Sequence, residues 1–148
     1  MIQKNKIQNK LEISGFIIER TQRRMKQKFQ RLLKEANTEI TVDQWILLQE
    51  LSKENGISQL ELAQRAYKDA PTVTRILDLL AQKKLTKRVA DANDRRKFNI
   101  ELTKKGQKKI EEVTPVLRQF REKAWDGLSI NEVSKLTKVL NRIFENLE

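Results

Sequence analysis

The spacing of the apolar residues changes once along this 148-residue chain, and that change limits the possible folds. Over most of the chain Leu, Ile, Val and Phe recur every three or four residues, which is typical of amphipathic helices. Residues 85–89 and 98–102 alternate instead, as β-strands do. With four glycines and two prolines there is little room for long loops or a larger β fold. We therefore predict a mainly α-helical fold with one small β-hairpin.

Capping signals predict where the helices begin. Thr and Ser followed three residues later by Gln or Glu form a capping box, and proline is favoured in the first helical turn. The first helix is predicted over residues 5–35, and the later ones start at Thr41 (with Gln44), Ser58 (with Glu61), Asp69 (before Pro71), Thr103 and Ser129 (with Glu132). The chain should therefore form six helices, with the strand pair between the fourth and the fifth.

Helical spacing also predicts which side chains point inward. In the short helix after Ser58 we expect Leu60, Ala63 and Tyr67 to be buried. The helix after Thr103 continues its apolar pattern beyond Pro115, so we expect a kink there and not an end. At about 1.5 Å per residue the first helix is longer than a small domain is wide, so its apolar stripe needs a cover beyond its own domain.

Composition excludes several classes of function. The chain has no Cys and no His, so it lacks a disulfide framework, a thiol nucleophile, cysteine-ligated zinc and the commonest general base and metal ligand. No glycine-rich phosphate loop and no nucleophile-with-base pattern occurs. We predict that the protein is not an enzyme and has no cofactor. No apolar run is long enough to span a bilayer, so a soluble, cytoplasmic protein is expected.

The net charge of +11 is unevenly distributed. Residues 1–34 carry +8, residues 35–64 carry −5, residues 65–97 carry +6 and residues 98–148 carry +2. Clustered Lys and Arg neutralise phosphates and release counterions, so the 65–97 block is the predicted nucleic-acid face. The basic first helix suits subunit packing with solvated lysines better than binding to DNA or a membrane.

The predicted order of helix, turn, helix and hairpin is that of a winged helix. In its second helix Thr72, Thr74 and Arg75 lie off the apolar stripe, where Arg can donate two hydrogen bonds to guanine and Thr can contact phosphate or a thymine methyl. The hairpin loop carries Arg95, Arg96 and Lys97, and a guanidinium there suits the narrow minor groove. These residues are the candidate DNA contacts.

Four segments in this order resemble the multiple-antibiotic-resistance regulator (MarR) family of bacterial winged-helix transcription factors. They are residues 40–45, 70–78, 91–96 and 102–106. The resemblance implies a homodimer held by the N- and C-terminal helices, with each subunit reading half of a near-palindromic operator in double-stranded DNA. It also implies that Asp94 braces the hairpin turn while Arg96 enters the minor groove.

Two residues depart from the family pattern. Lys84 stands where relatives usually have Gly, and a left-handed lysine costs about 1 kcal/mol or more, so we expect a different helix end there. Leu79 stands where a basic residue is common, which removes a phosphate contact or enlarges the core.

The resulting prediction is one domain over residues 1–148, with a winged-helix core at 37–102 between dimerisation helices at 1–36 and 103–148. We expect a ligand-responsive repressor, with Phe16, Trp45 and Phe120 as candidate residues of a small-molecule effector pocket. Two alternatives stay open: an activator or anti-silencer on the same scaffold, and a basic helical protein–protein adaptor.

Overall fold

A computed structural model describes residues 2–148, except the side chains of residues 12 and 13. Its elements are α1 (Ile2–Glu35), α2 (Val42–Lys53), β1 (Ile57–Ser58), α3 (Gln59–Arg65), α4 (Ala70–Gln82), β2 (Thr86–Ala90), β3 (Phe98–Leu102), α5 (Lys104–Ala124) and α6 (Ile130–Asn146). The predicted mainly α-helical winged helix is confirmed, and α5 runs through Pro115 without ending. None of the described helices is long and apolar enough to cross a membrane.

The predicted helix starts coincide with capped residues. Thr41 and Ser129 form complete capping boxes with Gln44 and Glu132, and Asp69 and Thr103 each accept a backbone N–H from the first turn. The cap at Ser58 is only half of a box: its hydroxyl accepts from Glu61 N at 3.1 Å, but the Glu61 carboxylate pairs with Arg65. That predicted box is therefore wrong in one of its two bonds.

The sheet has three antiparallel strands in the order β1-β3-β2, where the sequence predicts two. In the hairpin Arg88 faces Ile100 and Ala90 faces Phe98. The extra strand, β1, pairs Ile57 with Ile100. It connects the turn before α3 to the hairpin, so the sheet fixes the hairpin relative to the helix-turn-helix.

The core is centred on α2, which packs against α1, α3, α4, α5 and β3. Its fully enclosed side chains include Leu33, Leu48, Leu77, Ile100 and Val113. The apolar pattern predicted to continue beyond Pro115 in α5 is confirmed, because its members are either buried or packed on the core: Ile110, Val113, Leu117, Phe120 and Ala124.

Two apolar faces lie outside this core. In α1 only the C-terminal third is buried, and Ile7, Leu11 and Phe16 are exposed. In α6 no residue is buried, although Leu136, Leu140 and Ile143 recur at helical spacing. The expectation that α1 cannot bury its stripe within its own chain is confirmed.

Two local predictions are wrong. Leu60 and Tyr67 are 62% and 78% exposed, because α3 turns Leu62 toward the core instead; the third residue of that prediction, Ala63, is buried as expected. Lys84 adopts φ +60°, and Lys84 N and Leu85 N donate to Ala81 O and Leu80 O. This is the Schellman arrangement that glycine usually provides, so the helix end does not differ from a glycine-ended one.

Candidate nucleic-acid interface

The start of α4 is fixed by Asp69. Asp69 Oδ1 accepts a hydrogen bond from Thr72 N at 2.9 Å, and Oδ2 accepts one from the Thr72 hydroxyl at 2.8 Å. These bonds to Thr72 hold the pKa of Asp69 below its ordinary value of 3.8. Because Asp69 stays ionised at neutral pH, the first turn of α4 keeps its cap.

One face of α4 is buried and the opposite face is exposed. Val73, Ile76, Leu77 and Leu80 pack inward, which confirms the predicted stripe. Arg75 is exposed, and its guanidinium makes only a long contact of 3.4 Å with the Thr72 hydroxyl. Its donors are therefore free to reach a groove edge.

The exposed face of α4 also carries Asp78 and Leu79. Leu79 is exposed, so its departure from the family pattern adds nothing to the core. Asp78 accepts a hydrogen bond from Arg88 of β2 at 2.8 Å. This ion pair joins the hairpin directly to α4, and nothing in the sequence pattern singled it out.

The Thr74 hydroxyl, a predicted DNA contact, is hydrogen-bonded within the chain. Its hydroxyl donates to Ala70 O at 3.0 Å and accepts from Gln59 Nε2 at 2.7 Å. The predicted contact between Thr74 and DNA therefore involves a hydroxyl that already has two partners within the chain. Gln59 itself was not among the predicted site residues.

The wing loop, residues 91–97, is braced by two aspartates. Asp94 Oδ1 accepts from Arg96 N at 2.9 Å, which is the bracing role that the resemblance implies. Asp91 Oδ1 accepts from Asn93 N at 2.8 Å and from Asp94 N at 3.2 Å. The bond from Asn93, with that from Asp94, lowers the pKa of Asp91. Asp91 is not among the predicted site residues. An aspartate in a turn often accepts a hydrogen bond from the backbone N–H two residues later, so its role in bracing the loop could have been predicted.

A concave groove of about 350 Å³ lies between the wing loop and the helix-turn-helix. Arg96, Lys97 and Phe98 form one wall, and Ala70 with the start of α3 (residues 58–60) forms the other. The structure thus brings two of the predicted wing-loop residues, Arg96 and Lys97, and the start of α4 to one concave surface. The contribution of α3 was not predicted.

The cations of the 65–97 block divide into paired and unpaired groups. Arg65 bonds Glu54 and Glu61, Lys68 bonds Asp43, and Arg88 bonds Asp78. Across residues 2–148 the structure gives no salt bridge to the four candidate DNA-contacting cations, which are Arg75, Arg95, Arg96 and Lys97. All four are exposed. Lys83 and Lys84 in the turn after α4 also have no salt bridge among the described residues, so the uncompensated charge of this block lies on α4, the turn that follows it and the wing loop.

The three candidate effector-pocket residues are not brought together. Trp45 and Phe120 are 4% and 8% exposed and belong to the core, where the Phe120 and Phe29 rings lie 5.2 Å apart. Phe16 is exposed on the same helix as Phe29, 13 residues away, or roughly 20 Å along the axis. The described residues of this chain therefore form no pocket that contains all three side chains.

Comparisons with known proteins agree with this geometry. The family model described as "MarR family" matches residues 40–98, which span α2 to the start of β3. The solved structure of transcriptional regulator PA3341 is 30% identical, with a TM-score of 0.78 over 90% of this chain and 96% of that one. The chain belongs to the MarR family. It is therefore a transcriptional regulator with a winged-helix fold and not an enzyme.

Two solved structures of MarR regulators share the fold at lower identity. A mutant of MarR from E. coli, crystallised with operator DNA, has a TM-score of 0.84 at 23% identity, over 91% of this chain and 96% of its own. A MarR transcriptional regulator from Methanosarcina mazei Go1 has a TM-score of 0.80 at 24% identity, with the same coverage. The likeness thus includes α1, α5 and α6, beyond the segment that the family model matches.

Proposed function

We propose that this MarR-family regulator is a repressor that binds a near-palindromic operator as a homodimer. In this proposal α4 enters the major groove with Thr72 and Arg75, and the wing loop reaches the minor groove with Arg96. The single observation that supports it most is that Arg75 of α4 and the three cations of the wing loop are exposed and have no salt bridge among residues 2–148. Four other cations of the 65–97 block are paired with carboxylates: Arg65, Lys68, Lys87 and Arg88.

The exposed apolar faces of α1 and α6 support the homodimer. Monomeric proteins rarely expose contiguous apolar patches of more than a few hundred Å². Leu136, Leu140, Ile143 and Phe144 are exposed along α6, and Phe16 and Ile17 are exposed on α1. Two recognition helices held about 34–36 Å apart would match successive major grooves on one side of the duplex.

The proposed repression ends when a small molecule favours a spacing of the two recognition helices that does not fit DNA. A ligand shifts such an equilibrium only by its differential affinity for the two spacings. We propose that the ligand binds beside Phe16, where the exposed part of α1 meets its cover in the dimer, and not at Trp45 and Phe120, which belong to the core. Quenching of tryptophan fluorescence by phenolic compounds, measured with and without operator DNA, tests this.

The experiment that tests DNA binding is a fluorescence-anisotropy titration of an operator selected from random duplexes, repeated over a range of salt concentrations. We expect Arg75→Ala to weaken binding about 5- to 150-fold and to relax preference at one base pair. Arg96→Ala should weaken binding and reduce the salt slope by about 1. Arg118→Ala, which removes one exposed positive charge from α5, is the matched control. Wild-type-like binding by both Arg75→Ala and Arg96→Ala would contradict the proposed contacts.

A further inference from the structure

Gln59 is the first residue of α3, and its side chain crosses to the second turn of α4, the recognition helix of the proposed function. Gln59 Nε2 lies 2.7 Å from Thr74 Oγ1, a link between residues 15 positions apart. Gln59 is partly buried and lines the groove between the wing loop and the helix-turn-helix, together with Ala70, Arg96 and Lys97. A neutral polar side chain is thus held in a strongly basic concavity.

The hydrogen atoms of this pair can be assigned. The Thr74 hydroxyl has one hydrogen, which it donates to Ala70 O at 3.0 Å. It must therefore accept from Gln59, so the amide nitrogen of Gln59 faces Thr74. An amide nitrogen has two hydrogens, and Thr74 uses one of them. Among residues 2–148 the structure gives the second N–H of Gln59 no acceptor.

The groove between the wing loop and the helix-turn-helix lies where one strand of the DNA backbone would pass. The sugar-phosphate backbone of a duplex separates the major groove from the adjacent minor groove. If α4 lies in one and Arg96 in the other, a strand must pass between them, along the surface that Gln59 lines. Arg96 and Lys97 on one wall complement a phosphate in charge, and the occupant we assign to this groove is therefore the DNA backbone.

We propose that Gln59 donates its free amide N–H to a phosphate of this strand, and that Thr74 is the positioning residue that holds the amide in place. The inference rests on the proposed function and adds a contact to it. It changes the role of Thr74 from a residue that touches DNA to one that acts through Gln59. A neutral donor at this position fixes the register of the protein on the duplex without reading a base.

The test compares Gln59→Leu with wild type in the same anisotropy titration, on the selected operator and on single-base variants of it. A hydrogen bond to a charged group predicts a loss of about tenfold or more. The loss should be equal on all the variants, and the salt slope should be unchanged because Gln59 has no charge. Gln59→Lys keeps a donor and adds a charge, so it should restore affinity and steepen the slope by about 1.

Thr74→Val tests the positioning role, because valine keeps the shape of threonine and removes the hydroxyl. Thr74→Val should weaken binding in the wild-type background and cause no further loss in Gln59→Leu. Thermal melts of each variant check that the fold is retained. Additive losses would contradict a role for Thr74 through Gln59.

The possible outcomes distinguish failure of the Gln59 contact from failure of the proposed function. Wild-type affinity in Gln59→Leu would overturn this contact and leave the proposed function intact. A loss confined to one base-pair variant would also overturn it, because Gln59 would then read a base. Absence of sequence-specific binding by the wild type would overturn the proposed function, and the Gln59 contact with it.

Discussion

Lys68 Nζ lies 2.8 Å from Asp43 Oδ1, and this ion pair joins the turn before the recognition helix to the first turn of α2. The same carboxylate lies 3.1 Å from Lys26 Nζ on α1. One partly buried aspartate therefore connects α1, α2 and the α3–α4 turn. These are the elements through which a movement of α1 would reach α4.

Asp43→Asn should lower the free energy of unfolding by about 1 kcal/mol or less at pH 7, because exposed and half-exposed ion pairs contribute little. Burial raises the pKa of Asp43, but hydrogen bonds and charges from Lys68 and Lys26 outweigh it and leave the pKa below 3.8. A carboxyl whose pKa is lower in the folded than in the unfolded state stabilises the folded protein at pH values above the unfolded-state pKa. This stabilisation is lost as the pH falls through the folded-state pKa.

The difference between Asp43→Asn and wild type should thus be present at pH 7 and shrink below pH 3.8, as measured by urea denaturation. Asp126→Asn, an exposed aspartate in the α5–α6 turn, is the matched control and should change stability little at either pH. Equal stability of Asp43→Asn and wild type at pH 7 would show that the link contributes nothing.

Gly106 provides a second prediction, because it lies against the backbone before β2. A Cβ at this position would be 2.1 Å from Leu85 O, and that oxygen already accepts a hydrogen bond from Thr103 N. Gly106→Ala should destabilise the protein by about 3 kcal/mol, the upper end for overpacked sites, since a backbone carbonyl cannot rotate aside. Lys108→Ala, exposed on the same helix, is the control in a thermal melt. An unchanged melting temperature in Gly106→Ala would contradict this close approach.

Lys84 provides a prediction of the opposite sign. It occupies the left-handed region at φ +60°, where a non-glycine residue costs about 1–2 kcal/mol. Lys84→Gly should therefore stabilise the protein by about 1 kcal/mol. Gln82→Gly, two residues earlier and still helical, should destabilise it by a similar amount. Chemical denaturation of the two variants and the wild type measures their free energies of unfolding. A lower stability of Lys84→Gly than of wild type would contradict backbone strain at Lys84.

Element starts could be predicted from the sequence because each signal acts locally. A cap and the amide that it accepts from lie within four residues, so Asp69 and Thr103 could be recognised without a structure. Helix α4 and the hairpin of β2 and β3 could be predicted for the same reason. The buried stripe of α4 spans several turns, which is long enough to define its inner face.

The errors have physical causes too. Helix α3 has seven residues, too few to distinguish one stripe from the next, so Leu60 was assigned to the wrong face. Strand β1 has two residues, too few to show the alternation of apolar and polar residues that predicts a strand. The links from Asp43 to Lys68 and from Gln59 to Thr74 join residues 25 and 15 positions apart, and only the fold brings them together.

The dimer proposal predicts the effect of a charge on the apolar face of α6. Leu140→Glu should convert a dimer to a monomer, because a carboxylate buried against apolar side chains without a partner is strongly disfavoured. Lys138→Glu places the same side chain on the polar face and should leave the dimer intact. Light scattering after size-exclusion chromatography at micromolar concentration measures both. A wild-type monomer, or a dimeric Leu140→Glu, would contradict the assigned interface.

The most direct test of the central claim is selection of bound duplexes from a random DNA pool by the 148-residue protein. Two identical recognition helices on one side of the duplex predict an enriched inverted repeat, with half-site centres about one helical turn, ~34–36 Å, apart. Enrichment of a single unrepeated site, or of no sequence, would contradict a symmetric dimer that reads DNA through α4 and the wing.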